Sequence, residues 1–154
     1  MEPTRHSSEC AAKIIRLENW PRLLSDFIES RRHLPFAWGT NDCCLFASDA
    51  VLAITGHDPA EGIRGTYITA LGAARLLEER GGVDGIAAAQ CAAAGWDSCD
   101  VRFAKRGDVV ACDMTAEGRP ALGVCLGSLS AFSGETGIDF YPTLQCRTAW
   151  KIGV

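Results

Sequence analysis

The stretch Phe36-Ala37-Trp38-Gly39-Thr40-Asn41-Asp42-Cys43-Cys44 largely decides how the rest of the chain is interpreted. It leads from a loop into an apolar run over residues 45–54, which predicts a buried helix. Asp42 is a good N-cap residue, so we expect Cys43 in the first turn of that helix. Unpaired amides and the positive end of the helix dipole favour a thiolate there, whereas the neighbouring Asp42 carboxylate favours the neutral thiol.

The same residues also fit a purely structural interpretation. In that case Asp42 only caps the helix, Gly39 forms a tight turn, and Cys43 and Cys44 are small buried side chains. Trp38 packs on the core, and we expect it to be largely buried together with Trp150 near the end of the sequence. The local pattern alone favours this interpretation, because cysteine signatures of one family transfer poorly to others.

The segments on either side of this stretch predict an α+β fold. Helices are expected over residues 10–19, from Pro21 onward, over 71–80 and over 83–94, and short strands near 109–112, 121–126, 130–132, 139–141 and 145–152. Helices followed by strands are typical of α+β proteins rather than of alternating α/β proteins. We therefore expect a flexible arm over residues 1–9 and a single domain over 10–154, in which the Cys43 helix packs on a small antiparallel sheet.

Composition excludes several classes of protein. The chain has 154 residues, of which 47% are hydrophobic and 22% charged, as expected for one domain with a sizeable core. The net charge is −4 and the basic residues are scattered, so no nucleic-acid partner is expected. No apolar run approaches the ~20 residues of a membrane span, and residues 1–9 contain no apolar segment of a secretory signal.

The chain has eight cysteines, but no Cys-x-x-Cys pair. Zinc and iron–sulfur sites usually contain two ligands at such a short spacing. We therefore expect no metal and no cofactor, and reduced thiols in a protein made in the cytosol. A third hypothesis for function is a cysteine-ligated metal or redox module. It requires that remote cysteines converge in space on the adjacent Cys43 and Cys44.

The order of the motifs resembles that of the NlpC-type cell-wall peptidases. The stretch 36–44 is followed by Arg106-Gly107-Asp108-Val109-Val110 and then by the Leu-Gly-Val-x-Leu-Gly run over residues 122–127. The resemblance covers about residues 35–130 and implies a papain-like fold that cleaves peptide bonds in peptidoglycan stems. It implies that Cys43 is the nucleophile, that Asp108 is the Gly-Asp motif position, and that Cys44 replaces the usual Ser. It also implies that residues 36–44, which we call the cysteine loop, form the binding site, with Trp38, Gly39, Asp42 and Cys44.

The resemblance places the catalytic histidine of this family at Ala121. A cysteine peptidase needs a base within hydrogen-bond reach, which takes the thiol proton and returns it to the leaving amine. Alanine cannot do this. His33 is the histidine nearest to Cys43 in sequence and remains a candidate base. His57 follows a helix of about twelve residues, about 18 Å away, and His6 lies in the arm.

Nearly the whole chain is similar to a group of small proteins encoded with phage and prophage tail genes. The shared motifs are Trp20-Pro21, Thr55-Gly56-His57-Asp58-Pro59, Arg64-Gly65-Thr66-Tyr67, Arg106-Gly107-Asp108 and Ala149-Trp150-Lys151-Ile152-Gly153. The resemblance implies a protein made in the bacterial cytoplasm and incorporated into the virion tail, with other tail-tip or hub proteins as partners. Our first hypothesis is a degenerate peptidase fold that serves as a structural docking module. The alternative is an active peptidoglycan peptidase or amidase, in which His33 or a partner's residue assists Cys43.

Overall fold

The computed structural model describes residues 13–113 and 119–154, and the expected arm over residues 1–9 lies outside them. The described residues form four α-helices, which are α1 (Trp20–Arg31), α2 (Cys43–Thr55), α3 (Ala70–Arg80) and α4 (Gly82–Ala94). Their strands are β1 (Ser98–Cys99), β2 (Val109–Cys112), β3 (Ala121–Cys125), β4 (Leu129–Gly134), β5 (Gly137–Pro142) and β6 (Thr148–Trp150). Two short 3-10 helices span Val101–Phe103 and Thr143–Gln145.

The six strands form one sheet in the order β1-β6-β2-β3-β4-β5. Every neighbouring pair is antiparallel. In the register of β2 and β3, Cys112 lies opposite Ala121. Helices thus come first along the chain and the antiparallel sheet second, which confirms the predicted α+β class.

Each strand near the middle of the sheet divides its side chains between two cores. Alternate residues of a strand point to opposite faces. Val109 and Ala111 of β2 therefore join α2 in the main core, whereas Val110 and Cys112 face the other side. We call the second group the outer-face cluster; it consists of Val110, Cys112, Ala121, Cys125, Phe132, Cys146 and Ala149.

The central helix α2 is apolar on nearly all sides, as a helix enclosed by other elements must be. One side packs on β3 and β4, and another packs on α1. The ring centroids of Phe27 in α1 and Phe46 in α2 lie 5.4 Å apart. Asp42 caps the start of α2, as the sequence predicts, and Gly56 caps its end in the left-handed conformation.

The helix expected over residues 10–19 is wrong over the part that the structure describes. Residues 13–17 are not helical, α1 begins only at Trp20, and residues 10–12 lie outside the described part. The segment instead lies across the fold: the Leu17 amide donates to Ile54 O at 2.8 Å, and Trp96 Nε1 donates to Ile14 O at 3.0 Å. Hydrogen bonds to distant residues replace the local ones of a helix.

The strand boundaries near the end of the chain also differ from the expectation. Residues 143–145 form a 3-10 helix, so the expected strand over 145–152 shortens to β6. The sequence gives no indication of β1, because two residues cannot show an alternating pattern. None of the helices within residues 13–113 and 119–154 has the length and apolar composition needed to cross a bilayer.

Candidate functional site

The carboxylate of Asp42 organises the loop that leads into α2. Its Oδ1 accepts the Leu45 amide at 3.0 Å, and its Oδ2 accepts the Gly39 amide at 2.9 Å and the Tyr67 hydroxyl at 2.6 Å. Asp42 is only 2% exposed, and a buried carboxylate is tolerated when such donors surround it. Burial, followed by the Asp42 contact, raises the pKa of Tyr67. The predicted N-cap is therefore also the junction of the loop, the helix and the Tyr67 segment.

The turn before Asp42 requires glycine. Gly39 has φ of +80°, and a Cβ there would lie 2.5 Å from Tyr67 O. The neighbouring Trp38 is only partly buried, so the expectation that it is largely buried is wrong. Its ring meets the Phe36 ring edge-on, with centroids 4.7 Å apart, at the margin of a small satellite cluster around Tyr67. Trp38 therefore covers the loop rather than filling the core.

Cys43 is the first residue of α2, as the sequence predicts, and its side chain is partly buried. Its sulfur accepts hydrogen bonds from the Cys44 thiol and from the backbone amides of Leu122 and Cys44. The Cys44 thiol contributes most, and the net effect lowers the pKa of Cys43 although burial and the Asp42 charge oppose it. The same bond, together with burial, raises the pKa of the donor Cys44. The interaction between the two thiols thus favours ionisation of Cys43 over ionisation of Cys44.

The start of β3 lies beside the sulfur of Cys43. The Leu122 amide bonds to that sulfur, and the preceding residue, Ala121, is buried in the outer-face cluster against which Cys43 packs. The position at which the resemblance expects a histidine is therefore close to Cys43 in space, and a methyl group occupies it.

The described histidines lie elsewhere. The His57 ring packs edge-on against the Trp96 ring, with centroids 6.0 Å apart, after the far end of α2. His33 is exposed beside the β4–β5 turn, where a Cβ on Gly137 would lie 3.1 Å from its Cα. The groups with the largest effect on the pKa of Cys43 are Cys44, Leu122 and Asp42, apart from burial itself. His6 lies outside the described residues.

Asp108 joins distant parts of the chain. Its Oδ1 accepts Arg16 Nη2 at 2.9 Å and the Ile152 amide at 3.0 Å, and its Oδ2 accepts the Lys105 amide at 2.9 Å. Arg16 also donates to Ile152 O at 2.8 Å and to Arg106 O at 2.7 Å. Burial raises the pKa of Asp108, while the Lys105 and Ile152 amides and Arg16 oppose that rise. The candidate site residue is thus a structural junction.

A chain of ion pairs that sequence reasoning missed lies behind the cysteine loop. Arg31 of α1 bonds to Asp49 of α2 at 2.7 Å and to Asn41 Oδ1 at 3.0 Å. Arg64 bonds to the same Asp49 and to Asp58 at 2.7 Å, which lowers the pKa of Asp58. Arg64 and Asp58 belong to the Arg-Gly-x-Tyr and Asp-Pro motifs of the sequence. Only the fold shows that Arg64 bonds to both Asp58 and Asp49.

The space beside Cys43 is small. An apolar cavity of about 20 Å³ is lined by Trp38, Asp42, Cys43, Cys44, Tyr67, Ala73, Leu76, Leu77 and Ile86. It has room for little more than a water molecule. Within residues 13–113 and 119–154, no three His, Cys, Asp or Glu side chains are grouped so that they could hold a metal ion. The described thiols therefore give no support to a metal module.

The thiol pair predicts a particular pH dependence of alkylation. Because the pKa of Cys43 is lowered, its reaction with iodoacetamide should reach half its maximal rate at a lower pH than the reaction of an ordinary free thiol does. Replacement of Cys44 by Ala should move this midpoint upward, since it removes the principal donor. Labelling followed by peptide mass spectrometry measures both. Cys99, whose pKa burial raises, is the internal control, and a Cys43 midpoint at or above that of Cys99 contradicts the assignment.

The chain was compared with protein families, curated proteins and solved structures. Residues 15–152 match a family described as a domain of unknown function, DUF6950. The comparisons with curated proteins and with solved structures returned no match. The family match extends from the segment that holds Arg16 to Ile152, so it includes the cysteine loop, the sheet and the Asp108 junction. The chain therefore belongs to the DUF6950 family.

Proposed function

We propose that this protein is a structural component of a phage tail tip and that its NlpC-like, papain-like fold serves as a docking module without peptidase activity. The observation that carries the proposal is the methyl group of Ala121 beside Cys43, where the resemblance requires an imidazole. The helix that begins at Cys43 and packs on an antiparallel sheet supports the comparison with that fold.

The chemistry of the site supports the absence of cleavage. Hydrolysis by a thiol needs a group that takes the thiol proton and then delivers it to the leaving amine. Cys44 is the thiol that contacts Cys43, and its raised pKa makes it a poor proton donor. The cavity of about 20 Å³ beside the pair is itself too small to hold a peptide.

The contacts around the thiol support a role that depends on shape. Asp42 holds the loop with three hydrogen bonds, and the Asp49 ion pairs hold the segments behind it. These interactions preserve the architecture without needing a reactive sulfur. The similarity to proteins encoded with tail genes supports synthesis in the bacterial cytoplasm, incorporation into the virion tail, and tail-tip or hub proteins as partners.

One observation favours the alternative, an active peptidoglycan peptidase or amidase. The pKa of Cys43 is lowered, as the nucleophile of such an enzyme requires. Peptidoglycan is then the substrate, and the base comes from a partner protein or from His33 after a movement of its loop.

We expect the purified protein to release no more product from muropeptides than a Cys43→Ala variant does. General-base assistance is typically worth about 10²–10⁴-fold, and Ala121 cannot provide it. The assay is chromatography of stem peptides after incubation. Ala121→His tests whether a base at this position creates activity. Ala37→His, at an exposed position in the loop before α2, is the matched control. Cleavage by the unmodified protein that Cys43→Ala abolishes contradicts the docking module.

The location in the tail requires a separate measurement. A tagged copy of the chain, expressed from its own locus, should be found in purified virions and should be labelled at the tail tip by immunogold microscopy. A chain that remains entirely in the cytoplasm, while complete virions form without it, contradicts the structural role.

A further inference from the structure

Three buried thiols of the outer-face cluster have no part in the proposed function. Cys112 is the last residue of β2, Cys125 is the last residue of β3, and Cys146 lies just before β6. All three are buried, and Cys112 and Cys146 are 1% and 5% exposed. They come from separate segments, and the sheet brings them together.

The pairing of β2 with β6 brings the segments that hold Cys112 and Cys146 together. The Arg147 amide, one residue after Cys146, donates to Ala111 O at 2.9 Å, one residue before Cys112. The Cys112 sulfur lies 3.6 Å from the carbonyl oxygen of Gln145, the residue before Cys146. The Cys146 thiol donates to Pro142 O at 4.0 Å, both side chains belong to the outer-face cluster, and the interaction between them opposes the rise in the pKa of Cys112 and adds to that of Cys146.

Cys125 is directed to other partners. Its sulfur lies 3.4 Å from Gly127 O and 3.8 Å from Thr143 Oγ1. These contacts lie in the turn after β3 and at the 3-10 helix, rather than at the Cys112 sulfur. Cys125 is therefore an equally buried thiol of the same cluster that lacks the interaction shared by the other two.

We propose that Cys112 and Cys146 are a disulfide-forming pair that closes when the protein meets a peroxide. The Cys112 thiolate attacks one oxygen of hydrogen peroxide, hydroxide leaves, and the sulfur becomes a sulfenic acid. Cys146 then attacks that sulfur and the sulfenic oxygen leaves as water. Two thiols are oxidised to one disulfide, and one peroxide is reduced to two waters.

The bond would tie the end of β2 to the start of β6. The two cysteines are 34 positions apart, and a cross-link over a loop of this length mainly restricts the unfolded chain. We expect the oxidised protein to melt about 5–15 °C higher than the reduced protein. Burial raises the pKa of both thiols, so the reaction should be slow compared with oxidation of Cys43.

Peptide mapping of the full-length protein tests the pair directly. Reduced protein is treated with hydrogen peroxide, remaining thiols are blocked with iodoacetamide, and the chain is cut with trypsin and with a protease specific for Glu. The cuts after Arg106, Glu117, Glu135 and Arg147 place Cys112, Cys125 and Cys146 in three different peptides. The expected product joins 107–117 to 136–147 and is two hydrogen masses lighter than the free peptides.

Variants keep the test independent of folding defects. Cys112→Ser and Cys146→Ser should each abolish the linked peptide and the rise in melting temperature on oxidation, whereas Cys125→Ser should keep both. Melting of each variant under dithiothreitol shows whether it has folded before oxidant is added. Free Cys112 and Cys146 after peroxide has oxidised Cys43, or a linked peptide that contains Cys125 instead, overturns the proposal.

Discussion

Replacing Asp108 by Ala is expected to lower the free energy of unfolding by about 3–5 kcal/mol, the usual effect of removing one partner from a buried ion pair. Asp108 is 1% exposed and accepts hydrogen bonds from Arg16, Ile152 and Lys105. The variant leaves a guanidinium and two amides without their acceptor inside the fold. Urea unfolding followed by circular dichroism measures the change.

Asp100→Ala is the matched control for this experiment. Asp100 also pairs with an arginine, Arg102, but at the surface, where both side chains are largely exposed. Its removal should change stability far less than removal of Asp108 does, because solvent screens an exposed ion pair. A double-mutant cycle with Arg16→Ala should show strong coupling to Asp108. Equal effects of Asp108→Ala and Asp100→Ala would mean that the junction contributes nothing beyond a surface pair.

Replacing Trp150 by Ala is expected to cost about 3–5 kcal/mol of unfolding free energy, as usual for a large buried aromatic side chain. Trp150 is 4% exposed, which confirms the expectation of burial, and it belongs to the main core. Its strand lies between two neighbours, so it is paired with Ser98 on one side and Val109 on the other. Thermal and urea unfolding both measure the loss.

Trp38→Ala removes the same number of atoms from a partly buried position and is the matched control. Less apolar area returns to water there, so the loss should be clearly smaller than at Trp150. A greater loss at Trp38 than at Trp150 would show that the cysteine loop, rather than the last strand, stabilises the core.

The helices were predictable wherever their signals are local. Asp42 and Gly56 mark the two ends of α2, and Thr69 and Gly81 mark those of α3, because caps act on amides and carbonyls within one turn. The segregation of helices and strands along the chain was likewise sufficient for the α+β class. The non-helical segment over residues 13–17 was not predictable, because its partners Ile54 and Trp96 lie far away in sequence.

The candidate site likewise has features that were predictable from the local sequence and features that were not. The position of Cys43 in the first turn of α2 follows from Asp42 and the apolar run after it. The contacts of its sulfur could not be predicted in this way, because the direction of the Cys44 side chain and the approach of the Leu122 amide depend on how α2 packs on β3. Arg16 carries no motif, so its bond to Asp108 is visible only in the folded chain.

The two ends of the described chain meet at Arg16, which determines how the fold carries mechanical load. Arg16 bonds to Ile152 and Asp108, and a Cβ on Gly153 would lie 2.9 Å from the Arg16 backbone nitrogen. A pulling force applied between residues 13 and 154 therefore acts on these hydrogen bonds and on the bond from Trp96 Nε1 to Ile14 O before it reaches the middle of the sheet. The middle of the sheet lies outside that path until these bonds break, whereas Ile152 belongs to the main core and Ile14 packs against it, so tension on the two ends first loosens the core where they meet.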